Sequence, residues 1–171
     1  MLSDEIYKRF EKLSTDEEIE EFIKERINEL ESMSVEKTVG QNYTDSFRDY
    51  ISSKVHYKAA DNLGKDVECP DLVYDDMTPY IMLIKRLKKD GSYNLVTLMN
   101  NIFYVITEYL PNDDIGLGRA LTYFRNKNSK VSIKEISENG VAFCSERSGM
   151  AHNMLKLFCF DSEVACGTKN N

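Results

Sequence analysis

Four cysteines and two histidines are the chain's candidates for nucleophilic and acid–base work at neutral pH. One of each falls in the stretch VAFCSERSGMAHNML, residues 141–155: Cys144 and, eight residues on, His152. Cys144 follows a short apolar lead-in and opens an amphipathic helix over residues 144–158. A thiol at that place meets the positive end of the helix dipole and uncommitted backbone N–H groups, and both favour the thiolate, which is the nucleophile. Met150, Ala151, Met154, Leu155 and Phe158 supply the apolar stripe that holds such a helix to the body. Glu146 and Arg147 fall in its first turn, either on the surface or ordering the loop around the thiol. His152 is a poor base for Cys144, because eight helical residues rise by about 12 Å. It reads as a structural or surface residue. His56, beside Tyr57 with no acid or thiol at a telling spacing, reads the same way.

The elements that must position this thiol are mostly helical. Thr15 and Glu18 form a capping box ahead of Ile19, Phe22, Ile23, Ile27 and Leu30, an amphipathic stripe suited to packing or to a partner. The pattern predicts a helix over 44–62, a loop through KDVECPDLVYDDMTP, and a helix over 79–89 opened by Thr78-Pro79 and closed by the basic run KRLKK. Ser92 is the expected cap of the next helix, 93–110, whose apolar residues occupy more than one face and mark it as the central buried helix. A further helix is expected to residue 126 after Pro111. Ser132 and Glu135 make a second capping box before a short helix stopped by Gly140. The alternating end, residues 162–167, reads as a strand.

Composition bounds the function. The 171 residues carry 42% hydrophobic and 30% charged side chains, enough for one folded core. A net charge of −7 disfavours nucleic acid as a partner. No run of about 18 apolar residues marks a membrane span. The charged N-terminus is no secretory signal, so Cys69, Cys144, Cys159 and Cys166 are expected to be reduced cytoplasmic thiols. No ligand spacing supports a metal, and the acid pairs at Asp75-Asp76 and Asp113-Asp114 read as helix-start chemistry. No strand and Gly-rich turn supports a nucleotide cofactor.

The segment ENGVAFCSERSGMAHNMLKLFCFDSEVACG resembles the nucleophile segment of the transglutaminase-like superfamily of cysteine enzymes. The matching pieces are a short helix over 133–138, the turn Gly140-Val141, Cys144 heading a helix with Glu146, Ala151, Met154 and Leu155, the turn Phe160-Asp161-Ser162, and a strand ending at Gly167. The resemblance covers about 35 residues by the pattern of small and apolar positions. It implies a mainly α chain: a helical extension over 1–128, then over 129–171 the cysteine helix and first strand of a papain-like α+β core. It also implies acyl transfer, or amide or peptide hydrolysis, through a thioester at Cys144. In that family the catalytic histidine and acid lie on strands beyond the cysteine helix, whereas here TKNN follows Gly167. Only Cys144 carries over, and the expectation is a fragment, or a chain inactive by itself.

The competing reading is a non-catalytic, acidic, helical interaction protein. Both readings take a protein or peptide as partner or substrate. A lone strand at 162–167 would need a neighbour, either another segment or a second copy across a homodimer. An exposed thiol at the tip of its helix would favour the first reading. A thiol packed under Ile133, Ile136 and Met154 would favour the second.

Overall fold

The computed structural model describes residues 4–32, 55–56, 71–111, 123, 130–142, 144–158 and 162. Among these residues are six helices and three short strands. In chain order they are α1 (Asp4–Phe10), α2 (Asp16–Ser32), β1 (Val55–His56), β2 (Asp71–Val73), α3 (Thr78–Asp90), α4 (Leu95–Tyr109), β3 (Lys130–Ser132), α5 (Ile133–Asn139) and α6 (Cys144–Leu157). The chain is mainly α, as its sequence pattern requires. The expected helix 113–126, the expected strand 162–167 and the side chains of all four cysteines lie outside the described residues, apart from Tyr123 and Ser162.

Helix starts follow local chemistry. The Thr15–Glu18 box forms in both directions: Thr15 Oγ1 accepts from the Glu18 amide at 3.2 Å, and Glu18 Oε2 accepts from the Thr15 amide at 3.0 Å. Asn94, rather than Ser92, caps α4, its Oδ1 accepting from the Thr97 amide at 2.9 Å. Ser92 instead accepts from the Asn94 amide group at 3.0 Å, so it orients the cap. Ser132 caps α5 by accepting from the Lys134 amide at 3.0 Å. Gly91 and Gly140 end α3 and α5 at φ of 61° and 60°, the left-handed conformation that glycine adopts without strain.

The sheet departs from the sequence pattern. Val55 and His56 form a strand where a helix over 44–62 is expected, and Asp71–Val73 is a strand inside the expected loop. β1 pairs antiparallel with β2, setting Val55 opposite Leu72. β2 pairs parallel with β3, setting Leu72 opposite Val131. The strand bonds join segments far apart in sequence, so two or three residues become extended without any local signal long enough to announce it. The β2–β3 pairing also joins the region before residue 128 to the region after it.

One core runs through the helices. α3 packs on α4 and α2, and α6 packs on α4 and α2. The apolar stripe of α2 — Ile19, Phe22, Ile23 and Ile27 — is buried in this core, which settles its use as packing. Phe10 is the hub of a ring cluster with Tyr7, Phe22, Tyr93 and Phe158, at centroid distances of 5.3 to 6.3 Å and steep interplanar angles. Each such edge-to-face pair contributes about 0.5–1.5 kcal/mol beyond area burial. The cluster ties the N-terminal helices to the end of α6.

The seat of α6 depends on one glycine. Tyr74, fully buried just after β2, lays its ring on the helix at Gly149 and donates its hydroxyl to the Glu146 carbonyl at 3.1 Å. A Cβ at residue 149 would stand 2.0 Å from the Tyr74 hydroxyl and 2.8 Å from its Cζ. In an open helix, Gly→Ala stabilises by about 1 kcal/mol. Here overpacking reverses the sign. Gly149→Ala is expected to lower the urea unfolding free energy by about 2 kcal/mol or more. Tyr74→Phe, which loses only the hydrogen bond, is expected to cost about 1 kcal/mol. A neutral or stabilising Gly149→Ala would contradict this seat.

Candidate functional site

Cys144 is the first residue of α6, as its place after Val141 and Ala142 requires. The first two turns of that helix are held from three sides. Glu146 is 0% exposed, so a carboxyl group is enclosed within the first turn, where the helix dipole favours negative charge. Arg147 crosses to the end of α4, and both its Nε, at 3.0 Å, and its Nη2 donate to the Leu110 carbonyl. Tyr74 clamps the Glu146 carbonyl. One turn further, Met150 and Met154 are fully buried, and Asn153 donates its amide to the buried Tyr80 hydroxyl at 3.3 Å. Glu146 and Arg147 therefore serve the seat of α6. Among the described residues, Asn153 Oδ1 is a buried acceptor with no hydrogen-bond partner, a feature no sequence pattern flagged.

The structure does not bring His152 to Cys144. His152 is buried on the same helix, eight residues along, and its Nδ1 pairs with Ser162 Oγ at 2.8 Å. His56 lies in β1, opposite Asp71 of β2. Among the described residues, no group of three or more His, Cys, Asp and Glu side chains could hold a metal ion.

A polar node fastens the loop before α3 to the far ends of α4 and β3. Asp76 Oδ1 accepts from the Thr78 amide at 2.9 Å and from its hydroxyl at 2.6 Å, and Oδ2 accepts from the Tyr109 hydroxyl at 2.6 Å. Asp75 accepts from Ser132 Oγ at 2.6 Å. The Ser137 hydroxyl donates to the Tyr109 carbonyl. Asp76 is thus helix-start chemistry, as its sequence setting indicates, whereas Asp75 reaches across to Ser132. Burial alone would raise the Asp76 pKa, but hydrogen bonds from Thr78 and Tyr109, and the charge of Lys134, outweigh it and hold the carboxyl below its ordinary 3.8. Burial, and then the bond to ionised Asp76, push the Tyr109 hydroxyl well above its ordinary value.

α4 has two different sides. Leu98, Asn101, Ile102, Val105 and Ile106 are buried against α3 and α6. The opposite side bears Leu95, Val96, Met99, Phe103 and Tyr104, with Val96 70% and Phe103 67% exposed. The expectation of a helix buried all round is corrected: its apolar residues do occupy more than one face, but only one is covered. The Arg86 guanidinium stands 4.9 Å from the Tyr104 ring centroid while its Nε donates to Asn101 at 3.0 Å. The basic end of α3 is thus partly spent on α4, and Lys85 pairs with Asp16 at 2.5 Å. Compared with protein-family models, curated proteins and solved structures, the chain matches none.

The signs at the polar node can be worked out. Asp76 has a depressed folded pKa, so its stabilisation is present above the unfolded value near pH 4 and lost as pH falls through the folded value. Tyr109 has a raised folded pKa, so its stabilisation is present below about pH 10 and lost as pH rises towards the folded value. Urea midpoints measured across pH are expected to show an acid slope that Asp76→Asn flattens, and an alkaline slope that Tyr109→Phe flattens. Unchanged slopes in both variants would refute the node.

Proposed function

We propose that the chain is an interaction module that docks an apolar protein surface on the outer side of α4. The observation that supports this is the set of five large apolar residues left exposed on one helix, with Val96 and Phe103 most open. Contiguous apolar surface of this kind is uncommon on a monomer that binds nothing. The inner side of the same helix is anchored on two neighbours, so the outer side is presented on a rigid support. Phe, Tyr and Met are the residue types enriched in the centres of protein interfaces.

Stability tests this reading directly. Measured on dilute, monomeric chain, Val96→Lys and Phe103→Lys are each expected to change unfolding free energy by less than about 0.5 kcal/mol, as exposed positions do. Leu98→Ala, one turn away on the inner side, is expected to cost about 2–5 kcal/mol. A loss of several kcal/mol in Phe103→Lys would mean that the chain itself covers this side, and would sink the docking reading.

A second reading rests on the firm seat of α6. Tyr74, Arg147 and enclosed Glu146 hold the helix tip that carries Cys144. In this reading Cys144 is the nucleophile of a transglutaminase-like acyl transfer or amide hydrolysis. It attacks an amide carbonyl, the C–N bond breaks and the amine leaves, giving a thioester, with a histidine from outside this chain moving the proton from the thiol to the amine. Iodoacetamide labelling of the intact chain across pH, followed by mass spectrometry, tests it. A selective reaction at Cys144 with a midpoint well below the ordinary thiol value of about 8.5 supports the nucleophile. Labelling no faster than at Cys69 or Cys159 removes it.

A further inference from the structure

The outer side of α4 also carries information about what covers it. Val96, Met99, Asn100, Phe103 and Thr107 recur at helical spacing along its centre line, and Leu95 and Tyr104 flank them. Of the 15 residues of α4, Glu108 alone is charged. The rest of the molecule is strongly acidic, with a net charge of −7. Two acidic copies repel at long range, whereas this face meets its own image without like charges opposed. This inference rests on the docking reading: we propose that the occupant of this face is a second copy of the same chain, with two α4 helices packed antiparallel about a two-fold axis near Met99-Asn100.

Two features carry the arrangement. First, an antiparallel pair centred there sets Val96 of one copy against Phe103 of the other, a large ring against a small branched side chain. Second, the five exposed residues leave on the order of 600 Å² uncovered per chain. Covered in full on both copies, that is at most roughly 1,200 Å², the lower end of the range for specific interfaces. A contact of this size is expected to be reversible. The contact is isologous, so it closes at two copies and builds no fibre.

Sedimentation equilibrium of the full chain from about 1 to 200 µM tests this, with circular dichroism and urea unfolding run on every variant. The expected result is a monomer–dimer equilibrium in this range. Phe103→Lys and Val96→Lys are expected to weaken it by roughly 50-fold or more with native helicity retained. A wild-type chain that stays monomeric throughout overturns the second-copy inference. A dimer that ignores both lysine variants overturns it as well, since another surface would then be used. In either case, a well-folded Phe103→Lys variant leaves the docking reading intact with a different partner. A Phe103→Lys variant that unfolds removes the docking reading itself and this inference with it.

Discussion

The close approach of Tyr74 to Gly149 is the contact on which the arrangement of the molecule turns. The hydroxyl end of the Tyr74 ring comes so close to α6 that a side chain at residue 149 would collide with it, and glycine leaves that gap. Tyr74 follows directly on β2, so the contact fixes α6 to the sheet. With α6 seated, Arg147 reaches the Leu110 carbonyl at the end of α4, and Met150 and Met154 enter the core. Phe158, just past the helix, reaches the ring cluster around Phe10. Sheet, central helix and N-terminal helices are therefore all registered to one another through α6.

That seat also explains how one scaffold serves two functional readings. The first turn of α6, with Cys144 at its first position, accepts a hydrogen bond from Tyr74 and donates through Arg147 to the Leu110 carbonyl, the kind of support a nucleophile would require. The inner side of α4 is fully committed to α3 and α6, so its outer side is displayed on a firm base. What separates the readings is surface chemistry. His152 is occupied by Ser162 and sits far down the helix from Cys144. The outer side of α4, in contrast, presents large apolar groups whose exposure has no structural use within the described chain.

Local chemistry was legible in the sequence where it was local in fact. The Thr15–Glu18 box, the Ser132 cap and the Gly140 stop each depend on residues within a few positions of one another, and each forms. The stripe of α2 was legible because its period matches one buried face. The strands were not. Val55 and Leu72 become extended because they meet, and neither Val55-His56 nor Asp71–Val73 is long enough to show alternation. α4 misled for a different reason. Apolar residues all round a helix look alike in sequence whether both faces are covered or one waits for a partner, and only the fold separates Leu98 from Phe103. Gly149 gave no signal either, since a glycine inside a helix names no contact until Tyr74 is seen against it.

The measurement that tests this account most directly is hydroxyl-radical footprinting of the intact chain at high dilution, read residue by residue by mass spectrometry. It reports side-chain exposure at the two places that matter together. Met99, Phe103 and Tyr104 are expected to oxidise rapidly, while Tyr74, Met150 and Met154 stay protected. Protection of Met99, Phe103 and Tyr104 at dilution, or rapid oxidation of Tyr74 and Met150, would contradict it.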